Sequence, residues 1–195
     1  EPRMLQNVIA VRWYTPLLAL LLLTFAAPVA AENKAAAQVL FDAAREAMDA
    51  EDYDLACGKF EESNRLDPAV GTLLNLGNCE EKRGHLAGAW RRYTEALDML
   101  EPADRRYVFA QSKAEGLEPR VPRLTVNLEN NSPPETFVRL NREPVTELGV
   151  PVRLDPGEYT VVVEAEGYQG TSTRIELEEG DRQTLTLGPG EKEEL

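Results

Sequence analysis

The sequence predicts a multidomain chain, α-helical in its first part and β in its second, and three observations lead to this prediction. A pattern of small and aromatic residues repeats at an offset of 33 residues within 32–117. A proline-bearing segment at 118–122 follows, where neither a helix nor a central strand is favoured. Short runs of alternating apolar and polar residues then fill 123–187. We therefore expect helical hairpins, a linker near which a protease cuts, and a small antiparallel β-sandwich, with 188–195 as a flexible acidic tail.

Composition limits the classes of function. The chain has 195 residues, a hydrophobic content of 43% and a net charge of −13. The hydrophobic content is ordinary for a globular protein, so a packed core is expected. A surface this acidic repels phosphate backbones, and no Lys/Arg-rich patch with interleaved aromatic residues offsets it, so we expect no binding to nucleic acid.

Residues 1–31 predict a secretory signal peptide. Two arginines precede an apolar run of 11 residues from Leu17 to Ala27, and small side chains follow Pro28 up to Ala31. The run is much shorter than the roughly 20 residues of a membrane-spanning helix, so we expect cleavage after Ala31. The alternative is an uncleaved anchor that keeps the chain in contact with the membrane. Cleavage predicts a periplasmic or cell-surface location.

The repeat within 32–117 predicts two stacked helical hairpins. The 33-residue offset places small residues on small ones and large on large: Ala44 on Gly77, Ala56 on Ala89, and Phe60 on Tyr93. Small residues let neighbouring helices approach, and the aromatic residues fill the space between them. Two units need a capping helix, which we expect at Asp104–Gly116, with its buried positions at Val108, Ala110, Ala114 and Leu117.

The second unit carries a recognisable pattern: Leu76-Gly77-Asn78, then Gly84, Ala89, Tyr93 and Ala96. It resembles the tetratricopeptide repeat (TPR) family, whose units are helix-turn-helix hairpins of about 34 residues. The resemblance implies a concave groove, formed by the first helix of each hairpin, that binds a peptide or protein. It implies partner-binding roles for Arg45, Asn75 and Asn78. The alternative is an unrelated helical bundle.

The second part of the chain carries a hairpin motif, Leu154-Asp155-Pro156-Gly157-Glu158-Tyr159, followed by Glu166-Gly167-Tyr168. These residues resemble the PEGA family, which is typical of bacterial surface and periplasmic proteins. The resemblance implies a small antiparallel, immunoglobulin-like β-sandwich in an envelope protein. A generic immunoglobulin-like sandwich without this kinship is the alternative, and it changes the expected function little.

No group of residues predicts catalysis. His85 is the one histidine and falls in the turn of the second hairpin, where a solvated turn residue is expected. Without a neighbouring nucleophile or second ligand, it builds neither a catalytic triad nor a zinc site. We therefore expect no enzyme activity, no metal and no cofactor.

The two cysteines, Cys57 and Cys79, predict one disulfide. Each is 11 residues from Pro68, at the turn between two antiparallel helices, so both reach the same height on facing helices. An exported chain reaches an oxidising compartment, where two cysteines most simply form one bridge. Two buried free thiols are the alternative.

Together these features predict an exported, non-catalytic interaction or scaffold protein of the bacterial cell envelope, which binds a peptide or protein through the helical groove. The alternative is a structural envelope element whose β module docks to cell-wall polymer or a surface layer.

Overall fold

The computed structural model describes residues 27–194, with side chains from residue 31 onward. Five helices come first: α1 (Ala27–Asp49), α2 (Tyr53–Leu66), α3 (Val70–Lys82), α4 (Leu86–Asp98) and α5 (Arg105–Leu117). Seven strands follow: β1 (Arg123–Leu128), β2 (Phe137–Leu140), β3 (Glu143–Pro144), β4 (Val152–Arg153), β5 (Gly157–Glu164), β6 (Thr171–Leu177) and β7 (Arg182–Leu187). The predicted order, α then β, is confirmed.

The predicted signal peptide lies almost wholly outside the described residues. Of its 31 positions, 1–26 are not described, and α1 begins at Ala27. This helix continues through the expected cleavage position after Ala31. Within residues 27–194, no helix is both long enough and apolar enough to cross a membrane.

The helical part consists of two hairpins, α1–α2 and α3–α4, with α5 packed on α4. In the first hairpin, Ala56 and Phe60 are fully buried, and the ring of Phe60 meets Phe41 edge to face with centroids 5.4 Å apart. Their counterparts at the 33-residue offset, Ala89 and Tyr93, are fully buried in the second hairpin. A Cβ atom at Gly77 would lie 3.0 Å from the Tyr93 ring, so only glycine fits there without displacing the ring. The offset seen in the sequence therefore relates two equivalent cores.

Helix α5 covers the second hairpin, as expected for a capping helix. Ala110, Ala114 and Leu117 are buried against it. The prediction that Val108 is buried is wrong, because this side chain is 68% exposed. Val108 lies two residues before Ala110, which is about 200° around the helix, so both cannot face the same core.

The β part is a sandwich of two sheets, with strand orders β4-β1-β7 and β3-β2-β5-β6. Its core is formed by side chains from both sheets: Leu124, Val126, Val138, Val161, Val163 and Leu177. Alternate residues of β1 and β5 point into this core, which explains the alternation read from the sequence.

The expectation of a wholly antiparallel sandwich is wrong at one pair of strands. β7 runs parallel to β1, in register from Arg123 opposite Arg182 to Leu128 opposite Leu187. After β6 the chain turns at Gly180 and crosses to the other sheet, where its direction matches that of the first strand. Alternation shows which residues point inward, but it does not show which edge the last strand joins.

The segment expected as a flexible tail is hydrogen-bonded over most of its length. The Gln169 N–H donates to the Glu191 carbonyl (2.9 Å), and the Gly190 N–H donates back to the Gln169 carbonyl (2.7 Å). The Glu193 N–H donates to the Gly167 carbonyl (2.9 Å). Residues 190–193 thus pair with the turn after β5.

The residues predicted as a linker, 118–122, are packed against both parts of the chain. Val121 is fully buried in the same cluster as Leu117 and Tyr93 of the helical part. The Gly180 N–H donates to the Arg120 carbonyl (2.6 Å), and the Arg120 guanidinium pairs with Glu179 (2.7 Å). These contacts hold the joint on both sides, so it is not an exposed tether.

Candidate functional site

The helical part contains a groove between α1 and α3. Four side chains of α1 lie on one helical face at steps of four and three residues: Lys34, Gln38, Phe41 and Arg45. Gly71, Asn75 and Asn78 form the matching stripe of α3. At one end the groove opens into a cavity of about 210 Å³, to which α1 contributes Lys34, Gln38 and Phe41, and α3 contributes Gly71 and Thr72.

One buried hydrogen bond and one aromatic contact hold the walls of the groove in place. The Ser63 hydroxyl of α2 is buried and donates to the Ala37 carbonyl of α1 (2.8 Å). The aromatic contact between Phe41 and Phe60 fixes the floor beneath the α1 stripe. The groove is therefore a formed feature of the fold.

The structure places all three predicted partner-binding residues on the two stripes. Arg45 is exposed on α1, one turn beyond Phe41. Asn78 is half-buried on α3. Asn75 is half-buried too. One N–H of its Nδ2 donates to the Gly71 carbonyl of its own helix (2.8 Å), so its side-chain oxygen and its second N–H are left for a partner.

Sequence reasoning missed Lys34, Gln38, Phe41 and Gly71, which line the cavity. The information was available in the sequence. Counting back four and seven residues from Arg45 on a helix gives Phe41 and Gln38, on the same face.

The predicted disulfide between Cys57 and Cys79 is confirmed. Both cysteines are buried, and their Cα atoms are 5.6 Å apart. The bond joins α2 of the first hairpin to α3 of the second. Because α1 packs on α2, the bond fixes the distance between the two walls of the groove.

His85 lies at the N-cap position of α4, half-buried, with its Nδ1 2.8 Å from the Glu80 carboxylate. It is thus less solvated than a free turn residue, because Glu80 holds it. No three His, Cys, Asp or Glu side chains in the described part of the chain are close enough together to hold a metal ion.

The cap of α4 comes from the β part. The His85 side chain makes no capping hydrogen bond. Instead, the Asp155 carboxylate accepts hydrogen bonds from the N–H groups of Ala87 (2.7 Å) and Gly88 (3.3 Å). Unpaired N–H groups at a helix N-terminus attract a carboxylate through both hydrogen bonding and the helix dipole. Asp155 therefore ties the hairpin before β5 to the second helical hairpin.

A stacked arginine adds to this contact between the two parts. The guanidinium of Arg153 lies 4.0 Å from the centre of the Trp90 ring and donates to the Glu118 carboxylate (3.0 Å). Glu118 also accepts a hydrogen bond from Arg123. Burial raises the pKa of Glu118, but the Arg153 hydrogen bond and the charges of Arg153, Arg123 and Arg182 outweigh burial, so its pKa lies below the ordinary value.

This lowered pKa predicts a pH dependence. A carboxyl whose pKa is lower in the folded state stabilises the fold above its unfolded pKa, near 4.5, and that stability is lost as pH falls through the folded value. We expect Glu118→Gln to cost about 0.5–1 kcal/mol at pH 7, after allowance for solvent screening, and to cost less at pH 3. Urea unfolding of both proteins at the two pH values measures the difference. An equal cost of Glu118→Gln at both pH values would contradict a lowered pKa of Glu118 in the folded protein.

Comparison with known proteins addresses the β part. Residues 123–190 match the PEGA domain family. The match begins at the first residue of β1 and includes all seven strands, as well as the hairpin that carries Asp155. No curated protein matches the chain. The match supports the PEGA-like β module expected from the sequence, and it ends three residues beyond the expected boundary.

Proposed function

We propose that this chain is an exported, non-catalytic interaction or scaffold protein of the bacterial cell envelope, which binds a peptide or protein partner in the groove between α1 and α3. The observation that carries the proposal is the groove itself, with its cavity of about 210 Å³. This volume is below the roughly 300–1,000 Å³ of pockets that enclose a small ligand. It suits one side chain of a larger partner that continues along the groove.

The chemistry of the groove supports a peptide partner. Gln38 and Asn78 offer side-chain amides, which can donate to and accept from a peptide backbone. Phe41 offers an aromatic surface for the side chain that enters the cavity. Arg45 offers a cation for a carboxylate of the partner.

The helical architecture supports a TPR-type array with an immunoglobulin-like sandwich after it. Two hairpins with equivalent cores and a covering helix are what the TPR resemblance implies. Arrays of this kind expose the first helix of each hairpin on their concave side. In this chain those helices are α1 and α3, which form the groove.

The disulfide and the PEGA-like module support export. Disulfides persist in oxidising compartments and are rare in the cytosol. A periplasmic or cell-surface location for this chain fits both features, and it fits the signal peptide expected at 1–31.

A structural role in the envelope is the second candidate. A cavity of about 550 Å³ on the PEGA-like module is lined by Tyr159, Arg174 and Glu176, among others. An aromatic ring among charged side chains suits a polymer rich in hydroxyl groups. Cosedimentation of the protein with purified cell-wall sacculi tests this role.

Binding through the groove predicts a specific loss on substitution. We expect Arg45→Glu combined with Asn78→Ala to reduce the partner captured from an envelope extract to about a tenth, because a cation and an amide that contact the partner are lost. Arg91→Glu is the matched control: it makes the same charge change at an exposed position of α4, outside the groove. Equal capture by both variants would contradict the proposal.

A further inference from the structure

Three arginines stand side by side across the sheet that faces the helices. β1 lies between β4 and β7, and Arg123 is opposite Arg153 on one side and opposite Arg182 on the other. Side chains of residues opposite each other on neighbouring strands share a face at about 5 Å, where like charges destabilise a sheet. In a chain with a net charge of −13, three adjacent arginines are unexpected and call for a structural or functional explanation.

The row lines a cavity of about 460 Å³ between the sheet and helices α4 and α5. Trp90, Ala114 and Pro119 supply an apolar wall. Two carboxylates also line it, but Glu115 accepts a hydrogen bond from Gln111 on its own helix (2.9 Å). Only Glu118 among the lining carboxylates accepts hydrogen bonds from the row, so three guanidinium groups face one carboxylate.

The three arginines differ in how many of their N–H donors already have an acceptor. Arg182 is occupied by backbone carbonyls, among them those of Val121 (2.8 Å) and Gly180 (2.9 Å). Arg123, in contrast, has a buried Nε that meets no acceptor among the described residues. A buried donor without an acceptor is costly, and most are satisfied in native proteins. The unused hydrogen-bonding capacity therefore lies at the centre of the row.

We propose that this cavity is a second binding site, which takes a carboxylate group against Arg123 and Arg153 and the apolar part of the same ligand against Trp90. The planar guanidinium fork matches a carboxylate in geometry. The volume lies within the range of small-molecule sites, which are often found between domains. The site shares no lining residue with the helical groove, so it stands or fails separately from the proposed function.

The test follows the indole N–H signal of Trp90 by NMR in the full chain, with the signal assigned by Trp90→Phe. Four probes are titrated: glutarate, acetyl-Ala-Ala with a free carboxylate, its amide, and sodium phosphate. We expect glutarate or acetyl-Ala-Ala to shift the signal saturably, and the amide to leave it unchanged. Tighter binding of acetyl-Ala-Ala would assign the site to a peptide C-terminus, and tighter binding of glutarate to a small diacid.

Substitutions test whether the shift of the Trp90 signal depends on the arginine row. We expect Arg123→Gln to weaken the carboxylate by about tenfold or more, because a charge-assisted pair is lost. Arg123→Lys keeps the positive charge but lacks the planar guanidinium. We expect this variant to fold and to bind the carboxylate about fivefold more weakly than the unsubstituted protein does. Arg142→Gln, at an exposed position in the turn between β2 and β3, should bind as the unsubstituted protein does. Equal binding by Arg123→Gln, or a response to the amide or to phosphate as strong as to the carboxylates, would overturn the proposal.

Discussion

Loss of the Cys57–Cys79 disulfide should lower the free energy of unfolding by about 3 kcal/mol. The bond closes a loop with a sequence separation of 22 residues, for which the chain-entropy model gives this magnitude. The expected effect is large because two hairpins form a small array, in which each unit depends on its neighbour. Urea unfolding with and without reductant measures it, and the folded fraction should fall at lower urea when the thiols are reduced.

The double variant Cys57→Ala/Cys79→Ala supplies the control. It should unfold at low urea whether or not reductant is present, because no bond is left to reduce. If reductant leaves the unsubstituted protein unchanged, or if both cysteines react with an alkylating reagent before reduction, the bond does not form in the protein.

Substituting Asp155 and Arg153 together by alanine should cost about 3 kcal/mol and separate the two parts of the chain. Asp155→Ala removes the cap of α4, which is typically worth about 1 kcal/mol and up to about 2. Arg153→Ala removes the stack on Trp90 and one partner of Glu118, worth a further 1–2 kcal/mol in a partly desolvated site. With both removed, calorimetry should show two transitions in place of one.

Proteolysis gives a second measure of the same contact. The proline-bearing segment suggested from sequence that a protease cuts near Arg120. The packed joint reverses this expectation, because backbone hydrogen bonds hold Arg120 toward both Leu117 and Gly180. Trypsin should cut there slowly in the unsubstituted protein and in the surface control Arg174→Ala, and faster in the double variant. Rapid cutting of the unsubstituted protein at Arg120 would instead support an exposed linker.

The features that sequence reasoning captured depend on local periodicity. Helical spacing and the 33-residue offset identified the two hairpin cores around Phe60 and Tyr93, because core packing repeats with the helices. Equal distances from Pro68 paired Cys57 with Cys79, because an antiparallel hairpin places equidistant residues at the same height. Arg45 was predicted as a partner-binding residue, but its neighbours on the same helical face, Gln38 and Phe41, were not.

The features that were missed depend on contacts between distant parts of the chain. Asp155 caps a helix that begins almost 70 residues earlier in the sequence, at Leu86. A weak hint was the absence of Ser, Thr, Asp or Asn at the start of α4, whereas Asp52 and Asp104 cap α2 and α5; α3 also begins without one, at Ala69. The arginine row likewise requires the strand order and register, including the parallel pair of β1 and β7, which alternation alone does not determine.

The measurement that tests the groove most directly is site-specific photocrosslinking. A photoreactive amino acid placed at Gln38, in the wall of the groove, should capture a discrete envelope protein on illumination. The same amino acid at Gln111, exposed on α5, should capture none, and Arg45→Glu should reduce the Gln38 product. Crosslinks that form from Gln111 and not from Gln38 would place the binding surface elsewhere and contradict binding in the groove.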